Sequence, residues 1–241
     1  MLVWESESEM AKQESSVERV YERLRKMAVN FEFKPEERLN ESVLSVELAA
    51  SRTPLREALN RLVAEGLLTF QNGRGFFCRA LSPSRIQELY EARAAVETEA
   101  VTRAIERATD EEIQAVVSYL DQTEDTYDTC EDLSELLKMD EAFHMRLAEL
   151  SNNGELLRLL ENLNSRIRYV RLINLKLLRS GNQSLVADGA KLSAHRTIIE
   201  AVARRDKTAA VNALRGHIER RREETTEAVR IAYSQLYVPS H

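Results

Sequence analysis

Glycine and proline are scarce in this 241-residue chain, with 7 and 4 residues. That excludes collagen-like and linker-like architectures and most all-β designs, and it favours helices. Cysteine is rarer still. Cys78 and Cys130 form no disulfide framework, and a reducing cytoplasm is the simplest home for them. No run approaches the roughly 18 apolar residues of a membrane span, so no membrane partner is expected. The opening segment MLVWESESEM is acidic and lacks a basic stretch followed by an apolar run, so it does not read as a signal peptide. A net charge of −6 argues against a general polyanion binder.

What is present is a globular balance, 43% hydrophobic and 31% charged, enough to bury a sizeable core in one or two domains. The charge is unevenly placed. Residues 1–80 carry 12 Lys/Arg and 13 Asp/Glu, whereas residues 81–241 carry 22 and 27. Within the first half, residues 52–79 hold five Arg against two Glu. A weakly basic patch in an acidic protein fits local docking on nucleic acid better than whole-surface attraction.

The first 15 residues are polar and without periodicity and read as a flexible tail. Val17, Val20, Tyr21, Leu24 and Met27 then form one helical stripe, broken at Phe33-Lys34-Pro35-Glu36. A short helix is predicted from Glu41 to Leu48. A second starts at TPLREALNRLVAEG, with a hydroxyl cap, Pro54 in its first turn and Gly66 at its end. Two β-prone runs flank Asn72-Gly73-Arg74-Gly75, a strong hairpin signal. Helix, helix, turn, helix and hairpin over residues 16–80 make the order of a winged helix-turn-helix. Arg52 and Arg56 lie four apart at the start of the second helix of the pair, where arginine suits guanine edges in a major groove. Thr53 and the neighbouring backbone amides suit a phosphate, and Gly73 and Arg74 at the hairpin tip suit the adjacent backbone or minor groove.

At these residues the chain resembles a known family. The string ASRTPLREALNRLVAEGLLTFQNGRGFFC is similar to the DNA-binding signature of GntR-type bacterial transcription regulators. Tyr21, Leu24, Arg25, Pro35, Arg38, Leu39 and Glu41 match its earlier part. The resemblance implies that Arg52, Thr53 and Arg56 contact an operator from the recognition helix and Gly73 from the wing. One departure is Ala49-Ala50, where the family usually has a Gly-Val turn.

Residues 81–84 read as a linker, and residues 85–235 as an all-α bundle of six or seven helices, with a tail over 236–241. Helices are predicted near 84–107, 110–127, 131–151, 154–179, 187–204 and 207–234, with Asp110, Asp132 and Asn153 as starts. The whole is mainly α. Its informative residues are polar ones at positions where a stripe demands apolar ones. Asp140 and His144 share the inward face of one helix. His195 follows Leu192 on the stripe of the next but one, and His217 lies on that of the last. The fourth histidine, His241, is the terminal residue. One carboxylate and three imidazoles make a ligand set for a divalent transition ion such as Zn²⁺, Ni²⁺, Mn²⁺ or Fe²⁺. The competing reading is a buried Asp–His hydrogen-bond network. Arg93 also points inward, either paired with Glu97 or free to grip an anionic effector. Asn174 sits on an inner stripe as a second lining candidate. Asn153 is either a third or a helix cap.

This second half resembles the FCD effector domain, named after the C-terminal domain of a fatty-acid-metabolism regulator. The matching residues are Leu89-Tyr90-Glu91-Ala92-Arg93 with Glu97, Asp140 and His144 followed by LAELSNN, His195 with Ile198, and His217. The resemblance implies that Asp140, His144, His195 and His217 carry a metal ion, that a fatty-acyl effector is disfavoured, and that a small carboxylate or sugar acid is sensed. Together the two resemblances imply a cytoplasmic, homodimeric regulator, a repressor in most of the family. It would bind a short inverted repeat of double-stranded DNA under the control of a small organic acid, and it is not an enzyme. Two alternatives stand beside it: a helical half that serves only for dimerisation with a structural polar core, and a metalloenzyme fused to a DNA-binding module. Against the enzyme, no second inward Glu or Asp stands at a spacing suited to a general base, and no serine or cysteine nucleophile motif occurs.

Overall fold

The computed structural model describes residues 3–179 and 193–237. The chain divides into two units between Leu81 and Ser82. The first holds α1 (Val3–Val29), α2 (Glu41–Glu47), α3 (Arg52–Ala64), β1 (Leu68–Gln71) and β2 (Gly75–Cys78). Because α1 begins at Val3, the tail expected over residues 1–15 gives way to helix from there on. ESESEMAKQESS is rich in good helix formers and free of glycine and proline, so propensity favours helix where no apolar stripe announces one.

Val20, Tyr21, Leu24 and Met27 of α1 share one core with Leu55, Ala58, Leu59 and Leu62 of α3, closed by Leu44 and Leu48. Each fully buried leucine contributes about 1.5–3 kcal/mol. Asn40 caps α2, its Oδ1 accepting from the amides of Ser42 at 3.0 Å and Val43 at 3.2 Å. In the turn to α3, where the resembling family has glycine, Ala49 adopts φ 46°. This left-handed conformation costs a residue with a Cβ about 1–2 kcal/mol. Arg19 braces the turn by donating to the carbonyls of Leu48 at 3.0 Å and Ala49 at 3.3 Å. Ser51 occupies the N-cap position of α3, but its hydroxyl makes no capping bond, contrary to the expected cap. The hairpin pairs Leu68 with Cys78 through Gln71 with Gly75, and Arg38 bridges to Phe77 beside it. Its tip turns through Gly73 at φ 72° and Gly75 at φ 93°, values that favour glycine.

In the second unit the described residues form six helices: α4 (Pro83–Arg107), α5 (Asp110–Thr129), α6 (Leu133–Glu149), α7 (Gly154–Arg179), α8 (Ser193–Ala203) and α9 (Lys207–Tyr237). Helix α4 packs on α6, α7 and α8, and α5 on α6 and α8. Leu120, Leu136, Phe143, Leu160, Ile198, Ile199 and Leu214 are fully buried among them. Ser82 already caps α4, so the linker expected over 81–84 is shorter. Helix α5 starts at Asp110 as expected, with Thr109 before it as the cap in a capping box with Glu112. Asp132 caps α6. The helix start predicted at 187, the stripe position of Leu192 and the place of His241 lie outside the described residues. Helix α9 runs on to Tyr237, past the predicted start of the tail at 236. Among the described residues, no helix is long and apolar enough to cross a membrane.

Candidate metal centre and nucleic-acid interface

Three helices bring Asp140, His144, His195 and His217 into one buried cluster. Asp140 and His144 stand one turn apart on α6, His195 lies near the start of α8, and His217 in α9. One ligand atom from each lies within 4.8 Å of every other. Tetrahedral metal bonds of about 2.0–2.2 Å put donors about 3.3–3.6 Å apart, so a closure of up to about 1.5 Å would seat an ion. The ring centroids of His144 and His195 are 5.1 Å apart, those of His195 and His217 4.9 Å, and Phe143 stacks on His195 at 4.3 Å. His144 Nε2 and both ring nitrogens of His195 are buried without a hydrogen-bond partner. Such atoms cost about 1–3 kcal/mol each when left unsatisfied. Orphaned imidazole nitrogens around one carboxylate fit a transition-metal ion by donor chemistry and by need.

The surroundings keep Asp140, His195 and His217 in their metal-binding forms. Burial alone would raise the Asp140 carboxyl, but Arg171 first, then His144 and His195, hold it well below the usual range. Burial pushes the His195 imidazole down to about 3, against the pull of Asp140, and burial with His195 and His144 pushes His217 well below its ordinary value. Both rings are therefore neutral at pH 7, with lone pairs free for coordination. Asp140 Oδ1 lies 3.5 Å from His195 Nε2, while its Oδ2 accepts an ion-pair hydrogen bond from Arg171 Nη2. Arg171 also reaches Glu141 Oε1 at 3.5 Å, and Glu141 pairs with Arg168.

A cavity beside Asp140, with room for about one water-sized group, is lined by Tyr90, Leu137, Arg171, Asn174, Leu175 and Arg221. Of the three expected effector residues, Asn174 is there. Arg93 is not among the lining residues: it is buried with its Nε donating to Glu97 Oε1. Asn153 caps α7, its Oδ1 accepting from the amides of Glu155 at 3.1 Å and Leu156 at 3.3 Å. Sequence reasoning missed Arg171, which adjoins Val170 on the α7 stripe and precedes Asn174 by one turn. An arginine beside a stripe ordinarily lays its stem along it and its head in water, so nothing flagged this one as buried. It also missed that His144 Nδ1 meets Glu97 Oε2 at 2.6 Å.

In the first unit Arg52, Thr53, Arg56, Gly73 and Arg74 are all exposed. Arg56 Nε stands 3.7 Å from Glu41 Oε2, with its guanidinium 5.8 Å from the Phe76 ring centre. An exposed pair of this kind is worth about 0–1 kcal/mol, so Arg56 is cheaply released to another acceptor. Arg74 donates to Gln71 Oε1 at 2.9 Å. The other two arginines of residues 52–79 serve the fold. Arg61 pairs with Glu18 at 2.8 Å and covers Tyr21, and buried Arg79 lies over Phe31. Three of the five arginines thus supply the basic surface.

A winged helix-turn-helix joined to a helical bundle with a buried polar centre defines a class of DNA-binding regulators. Residues 16–78 match the model of "Bacterial regulatory proteins, gntR family", and residues 88–220 match the FCD domain. The chain is 38% identical over 211 residues to the Nta operon transcriptional regulator of Aminobacter aminovorans, covering 88% of this chain and 95% of that protein. It is 30% identical over 204 residues to the HTH-type transcriptional repressor GlaR of Escherichia coli, covering 82% and 90%. Among solved structures, a GntR regulator from Rhodococcus sp. RHA1 superposes with a TM-score of 0.64 at 25% identity, covering 88% of this chain and 97% of that one. E. coli McbR/YncC shares the fold, with a TM-score of 0.63 at 21% identity and coverage of 92% and 97%. The chain belongs to the GntR family of bacterial transcriptional regulators and carries an FCD domain; it is a DNA-binding regulator, not an enzyme.

Proposed function

We propose that this regulator is a cytoplasmic homodimeric repressor whose operator affinity is set by a small organic acid bound beside a divalent metal ion. The observation that carries the reading is the cluster of Asp140, His144, His195 and His217, in which His144 Nε2 and both ring nitrogens of His195 are buried without a hydrogen-bond partner. A purely hydrogen-bonded network would leave those nitrogens unsatisfied, which counts against the structural alternative. Zn²⁺, Ni²⁺, Mn²⁺ and Fe²⁺ all suit three imidazoles and a carboxylate. An octahedral ion held by four protein ligands would offer its open positions to a carboxylate. Arg171, Arg221 and Asn174 line the adjoining cavity, which would have to widen from its water-sized volume to admit the acid, and supply the positive charge and donors that such an anion requires. This assigns anion binding to Arg171 and Arg221 together with Asn174, in place of Arg93 and Asn153.

On DNA, Arg52 and Arg56 would read base edges in the major groove, Thr53 would hold a phosphate, and Gly73 and Arg74 would track the backbone or minor groove. Two copies on a short inverted repeat would present two such heads. The relative GlaR is named a repressor, which favours that sign of regulation. The test is binding to a DNA fragment selected from a random pool, with metal-loaded and chelator-treated protein and a panel of di- and tricarboxylates. At least one acid is expected to shift the binding midpoint by tenfold or more in the loaded protein and not in the stripped one. An equal response in both would contradict the reading.

A further inference from the structure

Arg93, Glu97 and His144 form a buried chain that the effector reading leaves unused. Arg93 Nε donates to Glu97 Oε1, and Glu97 Oε2 meets His144 Nδ1 at 2.6 Å. Arg93 and Glu97 are each 2% exposed and His144 0%. Both Glu97 oxygens are engaged, Oε1 by the Arg93 guanidinium, which has donors only, and Oε2 by His144, so the carboxylate is the acceptor in both contacts. A neutral imidazole has one N–H and one lone pair. With an acceptor fixed at Nδ1, the proton stays there and the lone pair falls on Nε2, the ring nitrogen left buried without a partner.

We infer that Arg93 and Glu97 are positioning residues for the metal centre: Glu97 selects the Nδ1–H tautomer of His144, and Arg93 holds the Glu97 carboxylate in place. The inference rests on the metal reading above and assigns Arg93 a role without effector contact. It also separates His144 from His195. His195 has no hydrogen-bond partner at either nitrogen, only the longer 3.5 Å approach of Asp140 Oδ1 to Nε2, so no contact as close as that of Glu97 presets its tautomer. Outer-sphere carboxylates of this kind typically change metal affinity by about 10–100-fold.

Glu97→Gln inverts the logic. Arg93 has donors only, so it claims the amide oxygen, and the amide NH₂ then faces His144 Nδ1 as a donor. The proton moves to Nε2 and blocks the ligand atom. The double variant Arg93→Met/Glu97→Leu removes both charges at similar volume and serves where the single variant folds poorly. Two readouts apply to full-length protein: the ¹⁵N shifts of His144 after chelator treatment, and Zn²⁺ affinity by competition with a chromophoric chelator. Wild type is expected to show a protonated Nδ1 and an unprotonated Nε2. Glu97→Gln is expected to show the reverse, and the double variant a loss of the preference, with Zn²⁺ affinity about 10–100-fold weaker in both. Unchanged tautomer and affinity within twofold overturn the relay while leaving the metal reading standing. A wild type with the expected tautomer that takes up no Zn²⁺ overturns the metal reading itself, and the metal-positioning role with it.

Discussion

Removing Asp140 should cost the metal-free protein stability as well as metal, because the same carboxylate neutralises Arg171. The two side chains are 7% and 10% exposed. Breaking a buried pair by deleting one partner typically costs about 3–5 kcal/mol, since the surviving charge is left without compensation. Arg171 keeps a weaker contact to Glu141 at 3.5 Å, which puts Asp140→Ala near the lower end, about 3 kcal/mol. For a unit spanning Ser82–Gln235, each kcal/mol shifts the midpoint by about 2–4 °C, so a fall of about 6–12 °C is expected. Replacing both partners, as Asp140→Leu/Arg171→Met, should restore the midpoint to within a few degrees while leaving metal uptake abolished. Thermal unfolding followed by circular dichroism in excess chelator measures both. An Asp140→Ala midpoint within 2 °C of wild type would refute the claim that Asp140 neutralises Arg171.

Three further outcomes follow from the same geometry. In chelator, stability should fall as the pH drops from about 6.5 towards 3. His195 and His217 have depressed folded-state values, so over that window the unfolded chain binds protons that the folded one refuses. A midpoint that stays flat between pH 7 and pH 5 would contradict this. Ala49→Gly should stabilise the first unit by about 0.5–1 kcal/mol, the left-handed strain of about 1–2 kcal/mol less the extra freedom of glycine in the unfolded chain, read in urea; destabilisation would sink the idea. Arg52→Ala and Arg56→Ala should each weaken binding to the selected DNA by about 1–3 kcal/mol and relax base preference, measured by fluorescence anisotropy. Retained selectivity would remove these residues from the readout.

Much of this fold was legible because its signals are local. The α6 stripe, the place of α3 and the hairpin around Asn72-Gly73 follow from periodicity and turn chemistry within a few residues of chain. The four candidate ligands were legible for the opposite reason, as polar residues where burial demands apolar ones. The pairings that tune them were not. Glu97 lies 47 residues from His144, and Arg171 lies 31 from Asp140. No spacing rule links such partners, and only the packing of α4, α6 and α7 brings them together. The early start of α1 escaped notice because an acidic segment without an apolar stripe gives no periodic signal. Ala49 shows the converse: the backbone keeps a left-handed turn where the residue type alone gives no reason to expect one, with Arg19 bonded to its carbonyl.

The most direct test of the account is the metal content of the purified regulator, by elemental analysis after dialysis, for wild type and His195→Ala side by side. The account predicts close to one divalent transition ion per chain in wild type and its loss in the variant, with the fold retained. No ion in wild type after reloading with Zn²⁺, Ni²⁺, Mn²⁺ or Fe²⁺, or equal content in both proteins, would contradict it.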